Sequence, residues 1–505
     1  MSRSVLQKSQ QGWRWGAGLA GGALLALIIA IWLPQQAEAL PGSDHYPSCR
    51  FGVTVGGDIT LYDVASLNVG WYLDWHTTAA PPQPGGAEYV QLVHLEQVGQ
   101  GFAFYPPTST LYTIMDANPG AIWLIGNEQD RRIYQDDLPP EIYARAYHHL
   151  YNLIKVRDPS AQIAIGGVVQ PTPLRFQYLD LVWDTYMREY GTLMPVDVWN
   201  VHSFILREIS SEHPLLHQPG YENWGADIPR GAQFDSVMEG ILYRYSHQDD
   251  LAIFRQRIIE FRRWMAARGQ RDKPLIVTEY GVLFPEDYYD ESGRLFSAER
   301  VGTFMRGTFD FFRTYTDPTI GYPPDGNRLV QRWAWFSVDA NPWYWGGTLF
   351  DPATHGLRPL GEDFRAYTSA LSPTVDLVAA RAFAEPPVIL YEGVPVTATL
   401  KALVSNAGDV ATTGPITVTF YDGLLGESGS SLIGSVQVIT TGLHGCADYE
   451  IVETQWPGLI VGGHRFYIVV ENADDSRSDN NTAEGMVLVA NSRVFLPLVV
   501  KNSVR

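Results

Sequence analysis

The chain of 505 residues has only two cysteines, Cys49 and Cys446, too few for a disulfide framework. Pairing of these two and a pair of free thiols both stay open at this level. Basic residues are also scarce, 36 against 55 acidic ones, for a net charge of −19. That balance argues against nucleic acid and anionic membrane surfaces as partners and serves solubility. No G-x-G-x-x-G follows the first expected strand, and no phosphate-cradling glycine loop or Cys/His cluster occurs, so no cofactor and no metal is implied. The neighbours His148 and His149 fall in an expected helix, where adjacent side chains diverge and do not chelate together. The acidic stretch "NADDSRSDNN" misses the spacing of an EF-hand loop and reads as a solvated hairpin tip.

Long apolar runs are absent except for one, Ala17 to Leu33, which follows Arg3, Lys8 and Arg14. With Ala37-Glu38-Ala39 behind it, residues 1–39 read as a signal peptide cleaved after Ala39, which makes the protein secreted or extracellular; an uncleaved membrane anchor is the alternative. Aromatic residues, by contrast, are plentiful, with 15 Trp and 27 Tyr. Such rings stack on sugars, and they also fill large cores.

From residue 40 to 372 short apolar runs alternate with amphipathic helical segments such as "PPEIYARAYHHLYNLIKVRD" and "SAERVGTFMRGTFDFFRTYT". The runs are "RFGVTV", "VGWYLDW", "EYVQLVHL", "AIWLIG", "QIAIGG", "VDVWNVH", "PLIVTE" and "QRWAWFS". Eight strands with intervening helices predict an α/β fold, a (β/α)8 TIM barrel, with an open doubly wound sheet as runner-up. From 373 to 490 the helices cease, and runs such as "VTATLKALVSNAG", "GPITVTFYDG" and "HRFYIVVENAD" predict about seven strands of an all-β immunoglobulin-like sandwich. Residues 491–505 form an apolar tail with basic flanks, read as a last strand, a frayed end or a cell-surface attachment.

In a parallel barrel the reacting groups sit where strands end at the C-terminal face. The fourth run closes on Asn127 and Glu128, and the seventh on Glu279. Two carboxylates brought to one barrel mouth are what glycoside hydrolysis needs, one to protonate the leaving oxygen and one to attack the anomeric carbon or activate water. Either residue taken alone is more often a solvated cap or turn.

The strand endings "GNE", "VHSF" and "VTEYG", with "RWAWFS" as strand eight, resemble the 4/7 superfamily of retaining (β/α)8 glycosidases (glycosidase clan A). The sandwich resembles a CARDB-like module. The first resemblance implies Glu128 as general acid/base, Glu279 as nucleophile, Asn127 as partner of the sugar 2-hydroxyl and Trp335 as an aromatic floor. Tyr280, His202 and Trp75 complete the expected sugar contacts. On chemical grounds Glu128 needs a raised pKa and Glu279 must stay ionised.

Two positions depart from the family pattern. Phe204 stands where many members carry an aromatic hydroxyl, with His202 as the polar substitute or a satisfied core histidine. The end of strand two carries Asp74, Trp75 and His76 rather than an arginine. Two long loops add His213, His217, Tyr221 and Trp224, and then Trp343, Tyr344 and Trp345; these serve as polymer subsites or as packing against the barrel. The expected partner is a polysaccharide or oligosaccharide. The rival expectation is a non-catalytic cell-surface carbohydrate-binding protein on a glycosidase-like barrel.

Overall fold

A computed structural model of the chain describes residues 48–132, 135–210, 212–214, 225–233, 238–339, 346–423 and 430–491. The expected signal segment lies outside these residues, as do the tail beyond Asn491 and His217, Tyr221, Trp224, Trp343, Tyr344 and Trp345. The described residues all belong to one compact unit, His45–Arg505. Among them, no helix is long and apolar enough to cross a membrane.

Ten strands come first: β1 (Ser48–Thr54), β2 (Val69–Leu73), β3 (Glu88–Tyr89), β4 (Gln91–Val98), β5 (Gly101–Tyr105), β6 (Ile122–Ile125), β7 (Gln162–Ile165), β8 (Trp199–His202), β9 (Leu275–Tyr280) and β10 (Arg332–Trp335). Parallel pairing runs from β8 through β9, β10, β1 and β2 to β3, and from β4 through β6 to β7. Only Val90 separates β3 from β4, and the parallel bridges Ala164–Val198 and Val168–Val201 join β7 to β8. The strand neighbours therefore run full circle, an order that fits a TIM-barrel-like fold. Each of the eight expected apolar runs overlaps a strand of this circle.

Alternation along each strand sorts the core into two layers. Leu73, Leu92, Ile122, Leu124, Ala164, Ile276 and Ala334 pack with Trp71 into one cluster enclosed by the strands. Trp123, Ile125, Trp199, Val201, Val277 and Trp333 face the other way and pack with the helices. Gly52 of β1 has no side chain because a Cβ there would lie 2.4 Å from the Trp71 indole.

The helices are α1 (Thr108–Ala117), α2 (Pro140–Arg157), α3 (Pro173–Tyr190), α4 (Leu251–Ala267), α5 (Ala298–Thr314) and α6 (Pro359–Ser369). In α5 the buried Val301, Phe304, Met305, Thr308 and Phe312 recur at helical spacing, and the Ser297 hydroxyl caps the first turn by accepting from the Arg300 N–H. Strand–helix alternation fails after β1 and β2, where only short 3-10 turns follow. The hairpin from β4 to β5 and the Thr-rich α1 are further elements that periodicity missed.

Eight strands follow: β11 (Leu377–Ala384), β12 (Val388–Leu390), β13 (Val396–Asn406), β14 (Ile416–Tyr421), β15 (Gln437–Ile439), β16 (Asp448–Leu459), β17 (Gly462–Glu471) and β18 (Thr482–Ala490). They form a three-stranded sheet, β11-β13-β16, and a five-stranded sheet, β12-β18-β17-β14-β15. Leu400, Ala402, Val418, Phe420, Phe466, Ile468 and Val487 share the core of the two sheets. The stretch "NADDSRSDNN" is the connection between the antiparallel strands β17 and β18, as expected of a hairpin tip.

The two regions are tied at the N-terminal end of β1. Cys49 and Cys446 form a disulfide across 397 positions, which answers the question the sequence left open. Beside it the buried Arg50 guanidinium donates to both oxygens of the fully buried Asp325, at 3.0 and 2.8 Å, to Asp409 at 3.1 Å and to the Ala407 carbonyl at 2.6 Å. A buried pair of this kind is costly to break from one side because the survivor keeps its charge without a partner. Arg50→Met is expected to lower the unfolding free energy by about 3–5 kcal/mol in chemical denaturation with the disulfide intact; a loss below about 1 kcal/mol would show that the cluster holds nothing together.

Candidate active site

The apolar run of β6 ends abruptly because its backbone turns. Gly126 has φ +88° and Glu128 has φ +42°, a left-handed conformation that a glutamate adopts only when its surroundings hold it there. The surroundings are specific: Glu128 N–H donates to the Gly167 carbonyl at 3.1 Å, and Asn127 N–H donates to Asp136 at 2.9 Å. The turn aims the Glu128 carboxylate across the C-terminal ends of the strands.

Glu279 reaches the same space by another route. Strict alternation from Leu275 and Val277, which pack with the helices, would send Glu279 outward with them. Instead β9 carries an extra residue: Trp333 pairs with Val277 but Trp335 pairs with Tyr280, so three steps of β9 face two of β10. The bulge turns Glu279 inward and leaves Tyr280 outside, a common use of bulges beside active sites.

Between the two carboxylates stands His202, at the end of β8 and completely buried. Its Nδ1 is 3.0 Å from Glu128 Oε1, and its Nε2 is 3.4 Å from Glu279 Oε1. One oxygen of Glu128 and one of Glu279 lie within 4.8 Å of each other. The ring rests against Gly167, where a Cβ would come within 2.4 Å of it. Glu128 and Glu279 are 1% and 5% exposed, so water does little to screen them.

Their remaining partners differ. Arg131, three residues beyond Glu128, donates to its Oε2 at 3.1 Å, while Trp75 donates its indole N–H to Glu279 Oε1 at 2.7 Å. Burial disfavours the charge on Glu128, but Arg131 and His202 outweigh it and hold that carboxyl below its ordinary range. Burial pushes Glu279 up to about 7, with the negative Glu128 adding to the effect against the pull of His202 and Trp75. On His202 burial opposes the proton, yet Glu279 and Glu128 together raise its pKa. The two shifts run in the opposite directions to those expected from the sequence, lowered at Glu128 and raised at Glu279. The physical reason is Arg131, a cation that the sequence reading did not connect with the pair.

A cleft of about 310 Å³ opens onto these groups. Asn127, Trp75, Glu128, Glu279 and Phe204 line it. Asn127 has its amide engaged with Gln135 at 2.9 Å. Three expected sugar contacts are overturned. His202 is wholly buried between the carboxylates and does not line the cleft. Trp335 is fully buried on the helix side of β10, where its indole N–H donates to the Gly347 carbonyl and its ring packs edge-on against Tyr280. Tyr280 is equally buried, among Phe254, Phe312 and Thr308. Both lie on the wrong face of their strands, and Phe336, one residue on, is the aromatic residue that β10 contributes to the cleft.

Sequence reasoning also missed Arg131, Gln135 and His94, all lining the cleft. The three-residue step from Glu128 to Arg131 was the one available signal, since residues so spaced meet in a turn. His94 bridges Asp136 and the Trp75 carbonyl and so braces both sides of the cleft. Of the other sequence candidates, Asp74 and His76 bond to each other and to Tyr89 outside the cleft, and His213 pairs with Glu239.

Glu128, His202 and Glu279 are also the one group of three such side chains, among the described residues, whose ligand atoms converge enough for a metal ion. The imidazole, however, turns its two nitrogens to different carboxylates, and the Arg131 cation already occupies Glu128. The arrangement suits protons better than a divalent ion.

No protein-family model and no curated protein matches the chain. Among solved structures it is similar to an endo-β-1,3-glucanase of glycoside hydrolase family 128, subgroup II, from Pseudomonas viridiflava, at 16% identity over 63% of this chain and 98% of that one, with a TM-score of 0.39. It is similar to a glucosidase from Croceicoccus marinus at 11% identity over 81% and 96% of the two chains, with a TM-score of 0.39. A CARDB domain from Pyrococcus furiosus, solved with di-metal ions, matches 23% of this chain and 90% of its own length at 19% identity, with a TM-score of 0.18.

The Trp75 bond is one of the interactions that hold the Glu279 proton affinity down. Trp75→Phe is expected to raise the Glu279 midpoint above about 7, followed by 13C NMR of labelled glutamate carboxyls; an unchanged or lower midpoint would contradict the assignment of that bond.

Proposed function

We propose that the protein is a secreted glycoside hydrolase that cleaves the O-glycosidic bonds of a polysaccharide or oligosaccharide with retention of configuration, on a (β/α)8 barrel joined to an immunoglobulin-like sandwich. One observation carries the reading: carboxylates from the ends of β6 and β9 face each other across a single cleft, with oxygens within 4.8 Å. Retaining dyads have carboxyl groups about 5–5.5 Å apart, and inverting dyads leave about 6.5–9.5 Å for a water.

In this reading Glu279 attacks the anomeric carbon, and Glu128 gives its proton to the departing oxygen. A covalent glycosyl-enzyme forms, and Glu128, now ionised, takes a proton from the water that releases it. Asn127, freed from Gln135, serves the sugar 2-hydroxyl, and Phe336 and Trp75 flank the ring. Secretion rests on the N-terminal segment, and the two C-terminal sheets serve as spacer or surface attachment. The ion pair between Arg131 and Glu128 is the observation that favours the rival reading, a carbohydrate-binding protein without turnover, since it holds the proton donor ionised.

Reducing-end release from β-glucan, xylan and mannan distinguishes the two. The wild type is expected to cleave at least one of them, Glu279→Gln to cleave none, and Glu128→Gln to lose about 10²–10⁴-fold in rate. A wild type that binds these glycans and cleaves none would favour the rival.

A further inference from the structure

We propose that His202 is a proton relay between the two carboxylates, passing the one proton that the Glu128–His202–Glu279 group holds from Glu279 to Glu128 when the cleft is engaged. The proposal rests on the reading of Glu128 and Glu279 as the reacting pair. It answers a difficulty that this reading creates, because the Arg131 cation pairs with Glu128, the group that must give up a proton, rather than with Glu279.

The geometry is that of a relay. The two imidazole nitrogens face two different carboxylate oxygens, at 3.0 and 3.4 Å, and the ring is wholly buried. Nε2 is shielded from water and has no hydrogen-bond partner in the resting structure, although Glu279 Oε1 lies in front of it. A nitrogen in that position is held ready for a proton it does not yet share. Gly167 fixes the ring from behind, and its backbone carbonyl fixes Glu128.

The transfer balances without any further reactant. Counted from the form in which Glu279 holds the proton, Glu128 is ionised and neutral His202 carries its hydrogen on Nδ1, the imidazolium favoured by the two flanking carboxylates is the intermediate of the passage. The Glu279 O–H bond breaks as an Nε2–H bond forms, and the Nδ1–H bond breaks as an O–H bond forms on Glu128 Oε1. The proton count of the three groups is unchanged, and one negative charge has moved from Glu128 to Glu279. The product state is the one double displacement requires, with Glu279 now accepting from both Trp75 and His202.

The charges facing His202 decide which state is preferred. Glu128 and Asp130 come from the turn after β6, and Glu279 comes from β9. Asp130 is held by Arg175 at 3.0 Å, a buried cation it shares with Glu208, so Arg131, at the cleft, is the adjustable partner. Its guanidinium lines the cleft and is a quarter exposed. A sugar that draws Arg131 away from Glu128 removes the cation that keeps that carboxyl ionised, and the proton moves across the ring.

The test uses the full chain with 15N-labelled histidine and 13C-labelled glutamate carboxyls, His202 being assigned by loss of its signals in His202→Gln. In the wild type, the His202 ring nitrogens and the Glu279 carboxyl are expected to titrate with common midpoints, as one shared proton requires. In Arg131→Met at neutral pH, the ring hydrogen is expected to switch from Nδ1 to Nε2. Separate midpoints, a ring that stays an imidazolium from about pH 5 to 9, or a tautomer unmoved in a folded Arg131→Met would each overturn the relay. None of these readouts needs turnover, so an absence of glycan cleavage would remove the proposed function and leave the relay to be judged on its own.

Discussion

Two carboxylates buried within 4.8 Å of each other repel strongly, and the surrounding structure is arranged to make that repulsion tolerable. A single buried carboxylate loses most of its hydration, and a second one nearby compounds the penalty. Three donors meet the cost: His202 between the pair, Arg131 on one side and Trp75 on the other. Each comes from a different segment, the last residue of β8 and the turns after β6 and β2 respectively, so the pair exists only where strands distant in sequence end side by side. The circle of parallel strands supplies that meeting place, and its apolar interior of Trp71, Leu92, Leu124 and Ile276 closes the floor beneath it.

The same constraint explains which parts of the site were legible in the sequence. The strands were, because runs such as Ile122 to Ile125 are buried on both faces and read as continuous apolar stretches. The carboxylates were, because they interrupt those runs where a barrel places its chemistry. Trp335, the floor that the family resemblance implies, and its neighbour in space Tyr280 instead pack against each other on the helix side of the strands. Counting by twos from Ala334 would have turned Trp335 outward and Phe336 inward. No such count would have worked at Glu279, since the bulge that re-aims it is visible only in the pairing of β9 with β10.

Charge order within the pair was the least accessible feature. It depends on Arg131 closing a three-residue turn onto Glu128 and on a histidine reaching from another strand, and propensity and periodicity encode neither. The pairing of Cys49 with Cys446 is of the same kind: 397 positions separate them, and the contact exists because β1 and the C-terminal sheets meet at the end of the strands remote from the cleft. There Arg50, Asp325 and Asp409 form a second buried charge cluster, built for attachment and well satisfied by hydrogen bonds. The cleft differs from it in leaving His202 Nε2, which faces Glu279, without a hydrogen-bond partner, and in pushing that carboxyl up to about 7.

The stereochemical course of the reaction tests the central claim most directly. With a cleaved glycan in hand, 1H NMR of the anomeric proton in the first minutes of hydrolysis reads the configuration of the newly formed reducing end before mutarotation blurs it. A pair this close, acting through a glycosyl-enzyme, predicts the configuration of the bond that was cut. The opposite anomer would mean that water attacks directly between the carboxylates, and it would contradict the assignment of Glu279 as nucleophile.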